Sequence, residues 1–167
     1  MRIVGIDLAG KAENKTGFCV MIGACKEFPL GKTETKILYT DLEILKEIEE
    51  IKPKCIAIDA PFWLPKAGAW RPCEQALMER GFRPLSPILP TMRMLTLRAM
   101  HLVAVLRQRN YQVIEVFPRA TEEILKLSKA PRKSEHAYDA LLCVLTAKAY
   151  LKGNYEDLEG IIIPKLS

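Results

Sequence analysis

Two aspartates stand where apolar runs end. Asp7 closes the run in "RIVGID" and Asp59 closes the one in "KCIAID". Side chains alternate faces along a strand, so Asp7 shares its face with Ile3, Gly5 and Ala9, and Asp59 with Cys55 and Ala57. Small neighbours leave room beside each carboxylate. Two such strands, parallel and adjacent, bring Asp7 and Asp59 together at one sheet edge. Carboxylates placed there repel one another and lose hydration, and a divalent cation removes both penalties. For either residue alone the alternative is a loop cap, Asp7 for the "LAGK" turn and Asp59 for "APF". Their shared placement favours a site.

The last apolar helix offers further partners in "SEHAYDA". Glu135 and Asp139 are four apart and His136 and Asp139 three apart, so each pair shares a helical face. Asp139 borders the stripe of Ala137, Leu141, Val144 and Leu145, and aspartate favours helix interiors poorly. Glu135, in the first turn, also complements the helix dipole, and an exposed histidine is the plain reading of His136. Glu115 interrupts the run "VIEVFP" near its end; a solvated edge glutamate is its plain reading.

The elements that must position these groups follow from periodicity. Strands are expected at 2–9, 16–22 and 33–39, with Gly, Asn and Pro between them as in hairpins. "TDLEILKEIEEIK" is a helix capped by Thr40 or Asp41. "PKCIAIDAP" is a fourth strand. Residues 61–90 hold six of the eleven prolines and form an irregular insertion with one helix near Arg71–Arg80. A long helix follows, capped by Thr91; then a fifth strand, "YQVIEVFP", a short helix, "RATEEILKL", and a final helix from Ser134 to Gly153. This order predicts an α/β fold over a five-stranded mixed sheet: three antiparallel strands, then two parallel ones joined by right-handed crossovers. One domain is expected over residues 1–167.

The chain has 167 residues, enough for a sizeable core, and 49% of them are hydrophobic. No apolar stretch is long enough to cross a bilayer, and Asp7 interrupts the run a secretory signal would need. Five cysteines without a C-x-x-C pair read as reduced, buried thiols in a cytoplasmic protein. The net charge of +5 is concentrated: Pro61–Asn110 carries eight basic residues against two acids. Seven of the eight are arginine, whose fork matches phosphate. A solvated surface is the alternative to a phosphate-binding face. On the long helix Arg93, His101, Arg107 and Gln108 fall opposite Leu95, Ala99, Leu102 and Leu106.

The joint order of these motifs resembles the ribonuclease H-like superfamily, in particular its RuvC-like Holliday-junction resolvase branch. It is more closely similar to the domain of unknown function 429 family, regarded as predicted nucleases of that fold. The carrying segments are "GIDLA" with "TG" at Thr16–Gly17, "IDAP" at Ile58–Pro61, "WRPCE", "EVFP" at Glu115–Pro118 and "EHAYDA" at Glu135–Ala140. The resemblance implies a phosphodiester hydrolase, a nuclease working with two Mg²⁺ or Mn²⁺ ions on DNA or RNA. It implies Asp7, Asp59 and Asp139 as ligands, with Glu135 or Glu115 as a fourth or outer ligand and His136 positioning water or moving a proton. Arg71, Arg80, Arg83, Arg93, Arg107 and Lys11 would meet the nucleic acid, and Trp63 and Trp70 would stack bases or anchor the insertion. A homodimer is compatible with this reading and is not required by it.

Two rival readings stand beside it. An actin- or sugar-kinase-like domain would cradle phosphate with Lys11 and Thr16 in "DLAGKAENKTG", but that fold needs a second domain and a second phosphate loop. A non-catalytic nucleic-acid-binding module of the same fold has no need of the carboxylates this chain carries.

Overall fold

The computed structural model describes residues 1–23, 32–127 and 134–166. Seven strands form one sheet: β1 (Arg2–Asp7), β2 (Thr16–Ile22), β3 (Lys32–Leu38), β4 (Cys55–Asp59), β5 (Val113–Val116), β6 (Tyr155–Leu158) and β7 (Ile161–Pro164). Their spatial order is β3-β2-β1-β4-β5-β7-β6. β1, β2 and β3 are antiparallel neighbours, and β4 runs parallel to β1, as β5 does to β4. The first five strands thus stand as expected. The expectation of five in all is corrected to seven. "NYEDLEGIIIP" folds back after the last helix as β6 and β7, with β7 parallel to β5. Glu159 and Gly160 make the turn at φ 52° and 113°, the positive-φ pair a tight hairpin demands.

Five helices flank the sheet: α1 (Asp41–Ile51), α2 (Pro72–Glu79), α3 (Pro90–Gln108), α4 (Pro118–Ile124) and α5 (Glu135–Leu151). α1 opens on a capping box. Thr40 Oγ1 accepts from Glu43 N, and Glu43 Oε2 accepts from Thr40 N at 2.8 Å. α3 is not capped by Thr91. It starts one residue earlier, at Pro90, whose fixed φ suits a first helical position, and Leu89 precedes it without a side-chain cap. Ser134 caps α5, accepting from Ala137 N.

Strand alternation divides the core. On one face Val4, Ile6, Phe18, Ile56 and Ile58 pack with Ile44 and Ile48 of α1 and Ala99, Leu102 and Leu106 of α3. On the other, Ile3, Cys19, Cys55, Ala57, Ile114 and Val116 pack with Ala140, Cys143, Val144 and Ala147 of α5. Cys19, Cys55, Cys73 and Cys143 are free and buried, and burial pushes the first three thiols up to about 12. Cys25 lies outside the described residues.

α5 lies against the backbone of β1 and β2. A Cβ added at Gly5 would fall 2.2 Å from Ala140 O, and one at Gly17 would fall 1.9 Å from His136 O. Both contacts are with backbone, so neither can yield by turning a side chain. Gly17→Ala should therefore lower the unfolding free energy, read from denaturant melts, by about 3 kcal/mol or more, or prevent folding. Gly68→Ala, at φ 68° with nothing within 4 Å, should cost only about 1 kcal/mol from backbone strain.

Candidate active site

β1 and β4 pair in parallel with Asp7 directly beside Asp59. Both side chains project to the α5 face, at the carboxyl ends of their strands. The β1–β2 loop behind Asp7 is tied in two ways. Ala9 N donates to the buried Thr16 hydroxyl at 3.1 Å. Arg98 of α3 donates to Ala9 O at 2.6 Å, and the same guanidinium holds Asp41 Oδ1 at 2.8 Å and Tyr39 O at 2.7 Å. Thr16 is thus committed to the loop's own backbone, and Lys11 is exposed and paired with Glu13 at 3.7 Å. The phosphate cradle of the kinase-like reading is not formed.

α5 delivers the other groups. His136 Nδ1 lies 2.7 Å from Asp7 Oδ2. With Asp7 ionised, Nδ1–H donates and Nε2 is left on the far side of a half-exposed ring. Asp7, Asp59, Asp139 and Glu135 all line one cleft of about 500 Å³. Burial pushes the Asp59 carboxyl well above the usual carboxylate range, and the charges of Asp7, Asp139 and Glu115 push the same way. Burial also raises Asp7, against the lowering effect of its bond to His136. Cys143, beneath the cluster, donates weakly to Ile6 O at 3.6 Å, and its thiol is held far up by burial and by those same aspartates.

Glu115 is placed elsewhere. It pairs in register with Ile58, one residue before Asp59, and so projects to the opposite face of the sheet. There its carboxylate accepts from Arg71 at 2.6 and 3.0 Å and from Phe62 N at 3.0 Å. Arg71 also donates to Glu74, at 2.8 Å from Nε. Cys73, Glu74 and Glu115 form the one triad among the described residues whose potential ligand atoms all lie within 4.8 Å of one another. The Arg71 guanidinium already supplies its cation. Burial alone would lower the pKa of Arg71; hydrogen bonds and charge from Glu115 and Glu74 outweigh it and hold the group protonated. Asp7, Asp59 and Asp139 stand wider apart than that triad.

The basic residues divide by role. Arg71, expected on a nucleic-acid face, is 1% exposed and cannot reach a solvated phosphate backbone. Arg80 is paired with Glu156, Arg98 with Asp41 and Arg109 with Glu49. Arg83 lines the cleft, Arg93 is exposed on α3, and Arg107 is exposed with its guanidinium 5.6 Å from the centre of the Phe62 ring. Arg119 and Glu122 of α4 also line the cleft and were not singled out from the sequence. The signal was present: α4 begins immediately after β5, so its first turn lies at the strand ends where the aspartates are.

The raised Asp59 pKa has a consequence for stability. The folded chain holds this proton more tightly than the unfolded one, whose Asp releases it above about pH 4. Stability in chelator should therefore fall as pH rises from about 4 through the folded pKa. Asp59→Asn should remove that fall: thermal melts in chelator should show the variant more stable than wild type at neutral pH, with the gap closing toward pH 4.

No curated protein sequence matches the chain. Two solved structures share its fold. One, titled Thermus thermophilus RuvC structure, is 16% identical with a TM-score of 0.53. The other, T. thermophilus RuvC in complex with Holliday junction substrate, is 18% identical with a TM-score of 0.56. Each alignment covers 92% of this chain and 97% of the other. The fold is therefore that of the RuvC-like, ribonuclease H-like nucleases. The family model described as "Protein of unknown function (DUF429)" matches residues 5–121, from the glycine before Asp7 to the second turn of α4, and the chain belongs to that family.

Proposed function

We propose that the chain is a divalent-metal-dependent nuclease, a single ribonuclease H-like domain over residues 1–167 that hydrolyses phosphodiester bonds in DNA or RNA. The observation that carries this reading is the in-register placement of Asp7 beside Asp59, facing Asp139 and Glu135 across one cleft. The donors are all carboxylate oxygens, which suits Mg²⁺ or Mn²⁺. Burial raises Asp59 and the like charges of Asp7 and Asp139 add to it, a penalty that a cation would relieve. Asp7, Asp59 and Asp139 would hold the metal, with Glu135 the fourth or outer ligand. Glu115, turned to the other face and neutralised by Arg71, backs the site rather than entering it. Bound ions would supply an activated water and stabilise the leaving oxygen.

The chain's own groups have separable tasks. His136, oriented by Asp7, can accept a proton from water at Nε2 or position that water. Arg83 and Arg119, on the cleft wall, can receive the phosphate on either side of the scissile bond. Arg93, Arg107 and the exposed Lys66 can continue the contact along the nucleic-acid backbone. Among the described residues no helix is long and apolar enough to cross a membrane. The buried free thiols suit a reducing compartment, which supports the cytoplasm.

Two measurements test this reading. Asp7→Asn should abolish Mg²⁺- or Mn²⁺-dependent cleavage across a panel of branched and linear substrates, while its melting temperature in chelator stays level or rises. Cleavage retained by the variant would overturn the assignment. Arg83→Ala should weaken binding evenly across sequences and reduce the slope of log affinity against log salt by about 1. An unchanged slope would remove Arg83 from the phosphate contacts.

A further inference from the structure

The insertion forms a second pocket, of about 370 Å³, lined by Trp63, Pro65, Lys66, Trp70, Arg71 and Glu159 among others. Its walls are built unequally. Trp63 is fixed: the Arg71 guanidinium covers one ring face at 4.4 Å from the centre. Gly160 leaves room for the ring's edge, since a Cβ there would fall 2.5 Å from Trp63 Cη2. Trp70 is half-buried, and Lys66 and Glu159 are exposed at the rim. Two indoles, two prolines and an alkyl stem make a surface for a flat ring. The ammonium beside them suits a phosphate, and the carboxylate suits the amino or imino hydrogens of a base edge. Arg71 forms part of the wall between this pocket and the region of the cleft. Arg71 and Pro61 both line a smaller cavity that reaches Asp59.

We propose that this pocket receives one unpaired base of the nucleic acid whose backbone lies in the carboxylate cleft. The assignment rests on the nucleic-acid reading above and adds to it a single-stranded feature of the substrate. The volume lies within the range of small-molecule sites. Stacking is indifferent to base identity, because every base has a π-face. Every natural base presents an amino or imino N–H on its pairing edge, so Glu159 can accept from any of them. The apolar side chain of a protein partner would use the same walls but would not need Lys66.

Both tryptophans of the chain line this pocket, so tryptophan emission reports on its occupancy. The test titrates the full chain, in chelator to prevent cleavage, with a labelled single-stranded oligonucleotide and with its blunt duplex. Label anisotropy measures binding and tryptophan emission measures occupancy. The single strand should quench emission in step with anisotropy, and the duplex should bind without quenching. Trp70→Ala should weaken single-strand binding about tenfold or more, and Trp70→Phe should restore most of it. Ala67→Phe, at an exposed position on the pocket wall, should fill the space and abolish quenching without removing a packed ring. Single-strand binding without quenching, or binding unchanged in Trp70→Ala and Ala67→Phe, would overturn the proposal and leave the nuclease reading standing. Retained cleavage by Asp7→Asn together with quenching would do the reverse. Absence of binding by either form would overturn both.

Discussion

The contact on which the site depends is between backbones. α5 can reach Asp7 only because β1 and β2 present glycine where the helix crosses them, Gly5 under Ala140 and Gly17 under His136. With any Cβ at these positions the helix would stand farther off the sheet. The His136–Asp7 bond, at 2.7 Å, would then open. Gly17 is the register partner of Asp7, so the residue that admits the helix and the residue the helix addresses are direct neighbours. Farther along, Cys143 and Ala147 keep the interface thin, and buried thiols serve there as small apolar side chains. The close fit explains how the first turn of α5 is presented to a strand far away in sequence.

A second constraint is electrostatic. The chain gathers acidic side chains on both faces of the sheet near the ends of β4 and β5 and treats them differently. On the α3 face Glu115 and Glu74 are answered by Arg71, with hydrogen bonds to Phe62 N and Arg71 N completing the set. Removing one partner from a buried network of this kind leaves an uncompensated charge and is far costlier than never forming it. On the α5 face the aspartates line a cleft, where burial first, and then the charges of Asp7, Asp139 and Glu115, keep a proton held tightly on Asp59. The first group is an internal fastening that fixes the insertion to β5. The second group lines the cleft.

The sequence shows the two aspartates clearly, because strand alternation and a shared position at the end of an apolar run need no tertiary knowledge. The pairing of β1 with β4 follows from the crossover rule. α5 and its cap are equally plain. Three features were hidden for physical reasons. β6 and β7 are four residues each, too short for a periodic signal, and their Glu-Gly turn is a weaker cue than Asn-Gly. The face of Glu115 depends on the register of β5 against β4, which one residue of slippage would reverse. Arg71 reads as a surface cation because burial of an arginine is set by acids that come from elsewhere in the chain, here Glu74 nearby and Glu115 far off.

The fate of the arginines follows from the same logic. A run of net charge +6 suggests a uniform basic coat, yet Arg71, Arg80, Arg98 and Arg109 each pair with an acid outside or at the border of their own helix. Arg71 and Arg98 do the most. One locks the insertion to β5, and the other ties the loop after Asp7 to both α1 and α3. Sequence charge therefore overstates the basic surface: four of the eight basic residues are paired with acids, and Arg83, Arg93, Arg107 and Lys66, which pair with no acid among the described residues, belong to cleft wall, helix and insertion.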